Sequence, residues 1–200
     1  MPRVTDTRPP AEPSSEGQKA RYQRIIEVAS ELGSQHDFDS LQMQDVATGA
    51  EVAIATLYRY FPSKVHLLVA VMRAQVDRVD RARVSPKEGQ SPAEAASELL
   101  IGLTVHMHSQ RRLSLSGIQA MIFAESLENP DRERIKVAFS DIILRLANWN
   151  TDPTDDQRRR AWLLTQCWFG VLMQVLNGSR SRPMADADIR RACELLLSGG

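Results

Sequence analysis

Residues Asp45–Lys64, DVATGAEVAIATLYRYFPSK, decide how this chain folds. Val46, Ala47, Ala50, Val52, Leu57 and Phe61 fall where two short crossed helices must touch. The spacing predicts one helix over about 42–48 and a second over about 53–61. Gly49, Ala50 and Glu51 form the turn, and small side chains at Ala47 and Ala50 let the two backbones approach. Pro62 ends the second helix, because proline disfavours helical geometry in the residue before it. This is the packing logic of a helix-turn-helix, whose second helix enters the major groove of DNA.

The chemistry of that second helix fits such a role. Thr56, Tyr58, Arg59 and Tyr60 are expected on its outer face, and Lys64 follows at the start of the next helix. Hydroxyls, a guanidinium and an ammonium are the groups that reach phosphate oxygens. The N-terminus of the next helix adds partial positive charge there. Ile54 and Ala55 are small or apolar and suit contact with thymine methyls. Gln42 and Gln44 open the first short helix, within reach of a phosphate or a base edge. Lys19, Arg21 and Arg24 add cations near the same surface. Across the whole chain Lys plus Arg and Asp plus Glu balance at 25 each. No global field favours a nucleic acid, so the basic edge is local.

Working outward, the remaining chain reads as helix after helix. Tyr22, Ile25, Ile26, Ala29 and Leu32 make one apolar stripe over about 18–32, with Gly33 and Ser34 as a stop. Ser63 caps a helix to about Arg83. Ser91-Pro92-Ala93-Glu94 combines a capping serine, an early proline and a glutamate three residues on, and opens a helix to about Gln110. Further helices are expected over about 113–127 and 130–149. Thr154 and Gln157 repeat the capping box at the head of a long helix to about Leu176. Asn177-Gly178 closes it, a loop covers Asn150–Pro153, and a last helix covers about 185–197. No alternating strand pattern interrupts the series. The expectation is an all-α chain of nine helices: a three-helix head over 17–62 and a six-helix body over 63–200. The head joins the body within the helix that starts at Ser63. Residues 1–16, polar and carrying Pro2, Pro9, Pro10 and Pro13, form a disordered arm.

The pattern V-A-x-x-A-x-V-x-x-x-T-L-Y-R-Y-F-P-S-K-x-x-L resembles the signature of TetR-family repressors, specifically over about 18–71. The resemblance implies an all-α homodimer with a DNA-binding head and a ligand-binding body. It assigns DNA contact to Thr56, Tyr58, Tyr60 and Lys64, with Gln44 and Ile54 on the base side. Two positions depart from the family pattern. Gln42 stands where Thr or Ser is common, and is a weaker cap. Glu51 stands where Gly is common, and lacks glycine's ease at positive φ. Within the family, TLYRYFPSKVHLL with Gln42-Met43 is similar to actinobacterial repressors of cholesterol and steroid catabolism, the KstR type. The implied function is a transcriptional repressor on a near-palindromic double-stranded operator, released by a hydrophobic effector such as a steroid or acyl-CoA catabolite. A multidrug or efflux-type regulator of the same family is the alternative, and a helical interaction module without DNA binding is the alternative of another class.

In the body, Leu103, Met107, Met121, Phe123, Trp149, Trp168, Phe169 and Met173 are the candidates to line a ligand site, with Ile122 beside them. Methionine and aromatic side chains suit an adaptable apolar cavity, although for any one of them ordinary core packing is the favoured explanation. His106, Gln110, Arg111 and Gln119 are candidate polar ends. Ala161, Leu164, Thr165, Trp168, Leu172, Val175, Ile189, Cys193 and Leu196 recur at helical spacing. If exposed as one stripe, they would build a dimer interface from the last two helices.

His106 and His108 sit two residues apart on a helix and point to different faces, so no metal is expected. Cys167 and Cys193, both in apolar helical surroundings, read as inert core thiols. No GxSxG, HExxH, phosphate-binding glycine loop or dinucleotide fingerprint is present. Asp155, Asp156, Glu125 and Glu128 read as helix-start and surface carboxylates. No enzyme activity and no cofactor are expected. No apolar run is long enough to span a bilayer, so no membrane partner and a cytoplasmic location are expected.

Overall fold

The computed structural model describes residues 10–127, 129–149 and 151–197. The expected arm falls largely outside them, as do Glu128, Asn150 and the end of the expected body. In chain order the helices are α1 (Glu16–Gln35), α2 (Met43–Gly49), α3 (Ile54–Tyr60), α4 (Lys64–Arg81), α5 (Pro92–Ser109), α6 (Arg111–Phe123), α7 (Pro130–Leu146), α8 (Asp155–Leu176) and α9 (Arg182–Leu197). A 3-10 turn, Ala124–Ser126, follows α6. No strand occurs among the described residues.

The capping signals act as their chemistry requires. The Ser91 hydroxyl accepts the Glu94 N–H at 3.2 Å, and the Glu94 carboxylate accepts the Ser91 N–H at 2.8 Å. Thr154 and Gln157 exchange the same pair of bonds at 3.2 and 2.9 Å. Each box satisfies two of the amide donors that a helix start leaves without an internal partner. The expected stop at Gly33 fails, because α1 runs on to Gln35. Gly33 is buried, and a Cβ placed on it would lie 2.7 Å from Leu113 Cδ1. Glycine is present there for close approach to α6, not to end the helix.

The chain divides into two compact units. The first holds residues up to Ala74 together with Arg112–Arg132, and the second holds Gln75–Arg111 and Glu133 onward. The boundary therefore lies inside α4, beyond the head limit at residue 62, and the first unit also takes in α6. Two contacts explain that membership. The Arg112 guanidinium donates to the Gln35 carbonyl at 2.8 Å, satisfying one of the free acceptors at the end of α1. Gly117 of α6 lies so close to Met72 of α4 that an added Cβ would collide with the thioether.

In the second unit α5, α8 and α9 pack on one another. Leu100, Leu164, Leu172, Ile189 and Cys193 are buried in their core. Trp168 stacks on Phe139 with centroids 5.0 Å apart. Its indole N–H donates to Thr104 Oγ1 at 3.0 Å and to the Leu100 carbonyl at 3.1 Å. A buried indole N–H thus has partners inside the core. Of the two expected core thiols, Cys167 is instead exposed on α8, whereas burial pushes the Cys193 thiol up to about 12, which keeps it protonated and unreactive.

Candidate nucleic-acid interface

The interface candidate is built on a small aromatic and aliphatic core in the first unit. Ile25 and Ala29 of α1, Val46 and Ala47 of α2, Ala50, and Leu57 of α3 are all buried. Tyr22 meets Tyr60 edge-on at 5.7 Å and Phe61 in a tilted contact at 4.8 Å. Ala50 and Glu51 make the turn between α2 and α3, and Val52 N–H donates back to the Ala47 carbonyl at 3.0 Å. Glu51 has φ of 54°, the left-handed region where glycine is at ease and a residue carrying a Cβ is strained. Gln42 is the N-cap of α2 and makes no side-chain cap bond, as its weak capping chemistry implies.

The expected contact residues do not share one environment. Gln42, Gln44, Ala55, Tyr58 and Arg59 are exposed, with Tyr58 at 45%; Ile54 and Thr56 are half-buried. Tyr60 departs from the expectation, being 2% exposed. It stands three residues after Leu57, so helical geometry puts it on the same inward face. Its hydroxyl accepts from Arg59 Nη2 at 3.2 Å, and the Arg59 guanidinium lies 5.0 Å from its ring centroid. Tyr60 therefore holds Arg59 against the surface instead of standing on it.

Lys64 also does something the sequence did not disclose. Its ammonium donates to the carbonyls of Asp39 at 3.2 Å and Leu41 at 3.1 Å, and lies 4.7 Å from the centroid of Phe38. Burial lowers its pKa, opposed by the Asp39 carboxylate. The lysine ties the α1–α2 loop to the start of α4. Next to it, Ser63 Oγ lies 2.8 Å from His66 Nδ1. Burial lowers the His66 pKa, opposed by Asp131, which is itself paired with Arg73 at 2.8 Å.

The expected ligand residues divide between the units. Met121, half-buried, and Phe123, exposed against Phe38 at 5.5 Å, belong to the first unit, as does the exposed Ile122. Leu103, Met107, Trp149 and Met173 are half-buried in the second unit, Phe169 is exposed, and Trp168 is buried in the core.

The expected dimer stripe points inward. Ala161, Leu164, Trp168, Leu172, Val175, Ile189 and Cys193 are buried within the chain's own core, while Thr165 and Leu196 are half-buried. The most continuous apolar stripe of α8 is used against α5 and α9. The opposite side of α8 exposes Trp162 at 56%, Leu163 and Phe169, and α9 exposes Met184 and Leu195 at 61%. Sequence reasoning missed most of these. The available signal was a second apolar set on α8, one residue out of phase with the first.

Two family models match the chain: bacterial regulatory proteins of the tetR family over residues 25–71, and the tetracyclin repressor-like C-terminal domain over residues 89–196. The HTH-type transcriptional repressor KstR of Rhodococcus jostii is 32% identical over 187 residues, covering 94% of this chain and 87% of its own. KstR of Mycobacterium tuberculosis is 29% identical, covering 94% of this chain and 85% of its own. A crystal structure of a TetR transcriptional regulator from Rhodococcus sp. RHA1 superposes with a TM-score of 0.81 at 41% identity, covering 93% of this chain and 99% of that one. The Thermus thermophilus FadR repressor, solved with lauroyl-CoA, shares the fold with a TM-score of 0.59 at 20% identity, covering 89% of this chain and 94% of its own. No helix among the described residues is long and apolar enough to cross a membrane.

Proposed function

This chain belongs to the TetR family of DNA-binding transcriptional repressors, and from that premise we propose that it is a homodimeric repressor released by a hydrophobic effector. Two α3 helices read the half-sites of a near-palindromic operator, as twofold proteins do when their recognition helices meet successive major grooves. The observation that carries this reading is the exposed Tyr58–Arg59 edge of α3, held outward by the buried Leu57 and Tyr60. In the proposed interface Tyr58 and Arg59 contact phosphates, Ile54 and Ala55 face bases, and Gln42 and Gln44 stand at the groove edge. Lys64 acts through the loop it anchors.

A second copy is proposed to cover the outward side of α8 and α9. Trp162, Leu163, Met184 and Leu195 are large apolar side chains left exposed on two adjacent helices, the usual sign of an unmet interface. The half-buried Leu103, Met107, Trp149 and Met173 are the proposed ligand contacts within the second unit. The effector class is a steroid or acyl-CoA catabolite. The likeness of the chain to KstR and of its fold to a repressor solved with lauroyl-CoA supports that class.

Release follows if the effector prefers a conformation in which the two heads are wrongly spaced. The chain passes between the units inside α4, at the start of α6 and in the first turn of α7, which gives three continuous routes for that bias. A preference of about 3 kcal/mol weakens operator binding by roughly a hundredfold. The test is selection of genomic fragments by the purified protein, followed by titration of the complex with steroid acyl-CoA esters, fatty acyl-CoA esters and lipophilic cations. Release by the esters alone is expected. Release by the cations alone would identify an efflux-type regulator, and absence of salt-dependent binding to any duplex would leave a protein-interaction module.

A further inference from the structure

The loop between α1 and α2 is held by its own turn, by α4 and by α6. The Asp37 carbonyl accepts the N–H groups of Ser40 and Leu41, each at 3.1 Å, and so closes the turn. Phe38 and the carbonyls of Asp39 and Leu41 then converge on one group, the Lys64 ammonium. It lies 4.7 Å from the ring centroid and donates to the two carbonyls at 3.2 and 3.1 Å. From the first turn of α6, Arg112 donates to the Gln35 carbonyl at 2.8 Å and lies 3.8 Å from the Asp37 carboxylate. Phe123, the last residue of α6, meets the Phe38 ring at 5.5 Å with the planes 61° apart. All of these residues belong to the first unit.

The Phe123 ring is 47% exposed, so it forgoes much of the burial that makes an aromatic stabilising in a core. What it does contact is the ring that borders the Lys64 ammonium. An ammonium carries three N–H donors. Two are taken by the loop carbonyls, and the third has no partner among the described residues. A cation held by two carbonyls and an aromatic ring has already lost the side-chain freedom that a loose lysine gives up on meeting a phosphate.

We propose that Phe38 and Phe123 are positioning residues for operator binding: they fix the loop, and through it the Lys64 ammonium, where its third N–H meets a phosphate of the duplex. The proposal rests on the operator-binding reading above and deepens it. Lys64 then serves twice, tying the loop to α4 and taking a phosphate, and neither aromatic ring has to touch the duplex. It also gives the exposed end of α6 a part in DNA binding.

The experiment measures affinity across a salt series for the full chain and for its Phe123→Ala, Lys64→Met and double variants. All are tested on one duplex, selected from a random-sequence pool by the unaltered protein, and thermal melting confirms that each is folded. Lys64→Met is expected to weaken binding about tenfold and to lower the salt slope by about one, the loss of one phosphate contact. Phe123→Ala is expected to weaken binding about fivefold with a reduced slope, and to add nothing further in the Lys64→Met background. Phe123→Tyr keeps the ring and is expected to bind like the unaltered chain. If Phe123→Ala melts below the assay temperature, Phe123→Leu takes its place with the same expectation, since it keeps the bulk and loses the ring. A merely structural role for Phe123 would weaken binding equally with and without Lys64, or leave the salt slope unchanged, and either result would overturn the proposal. Unchanged affinity for Phe123→Ala would also overturn it, while the loss in Lys64→Met would leave the operator reading standing. Failure of the unaltered chain to select any duplex would overturn the operator reading itself, and the positioning role with it.

Discussion

Helices α3 and α8 put the same rule to opposite use. In α3 the inward residues, Leu57 and Tyr60, fix the helix so that Tyr58 and Arg59 face out. In α8 the inward residues, Ala161, Leu164, Trp168 and Leu172, form the chain's own core, and the large apolar Trp162, Leu163 and Phe169 stand outward among polar residues. A helix with one polar and one apolar side declares its orientation in the sequence. A helix with large apolar residues on both sides does not, and its inward stripe is easily taken for an interface.

The largest effect that tests this contrast is in the body. Leu164→Ala removes a side chain that is 1% exposed and is expected to cost about 2–5 kcal/mol of stability, read by denaturant unfolding. Its neighbour sharpens the comparison. Trp162→Glu places a charge on the outward side and is expected to convert the proposed dimer to a monomer, seen by sedimentation, while far-UV circular dichroism stays unchanged. A stable dimer for Trp162→Glu, together with a folded monomer for Leu164→Ala, would reverse the assignment of the two faces.

On α3 the expected effects are smaller. Tyr58→Ala removes an exposed hydroxyl and ring, and is expected to weaken operator binding about tenfold, ~1.4 kcal/mol, with little change in melting. Tyr60→Ala is expected to lower the melting temperature first, because it empties the space beside Tyr22 and Phe61. The smallest effect lies in the turn. Glu51→Gly relieves a residue at φ of 54° and is expected to stabilise the head by at most about 1 kcal/mol, measured by thermal unfolding.

His66 adds a pH dependence to the same unit. Its folded pKa is depressed, chiefly by burial. The stability this group contributes is present above its ordinary range and is lost as pH falls through the folded value. His66→Asn is expected to flatten the fall in stability below about pH 6.5.

The helix count, both capping boxes and the helix-turn-helix were legible because each depends on local spacing and on a few side chains with one strong preference. Ser91 with Glu94 and Thr154 with Gln157 carry their partners three residues away. What was not legible depends on contacts distant in sequence. Gly33 reads locally as a helix stop, and only Leu113 makes it a point of close approach. Lys64 reads as a phosphate contact, and only the loop at Asp39 and Leu41 shows that its ammonium is already engaged. The C-terminal family model covers residues 89–196, whereas Arg112–Arg132 pack with the first unit. The family models and the compact units divide the chain at different places, so nearly all of α6 falls within the C-terminal model but packs in the first unit.

The most direct test of the central claim is a hydroxyl-radical footprint of the protein on its selected duplex. Paired α3 helices predict two equivalent protected patches on one face of the DNA, separated by about one helical turn, ~34–36 Å, or a whole multiple of it. A single unsymmetrical patch, or protection shifted to opposite faces of the duplex, would contradict it.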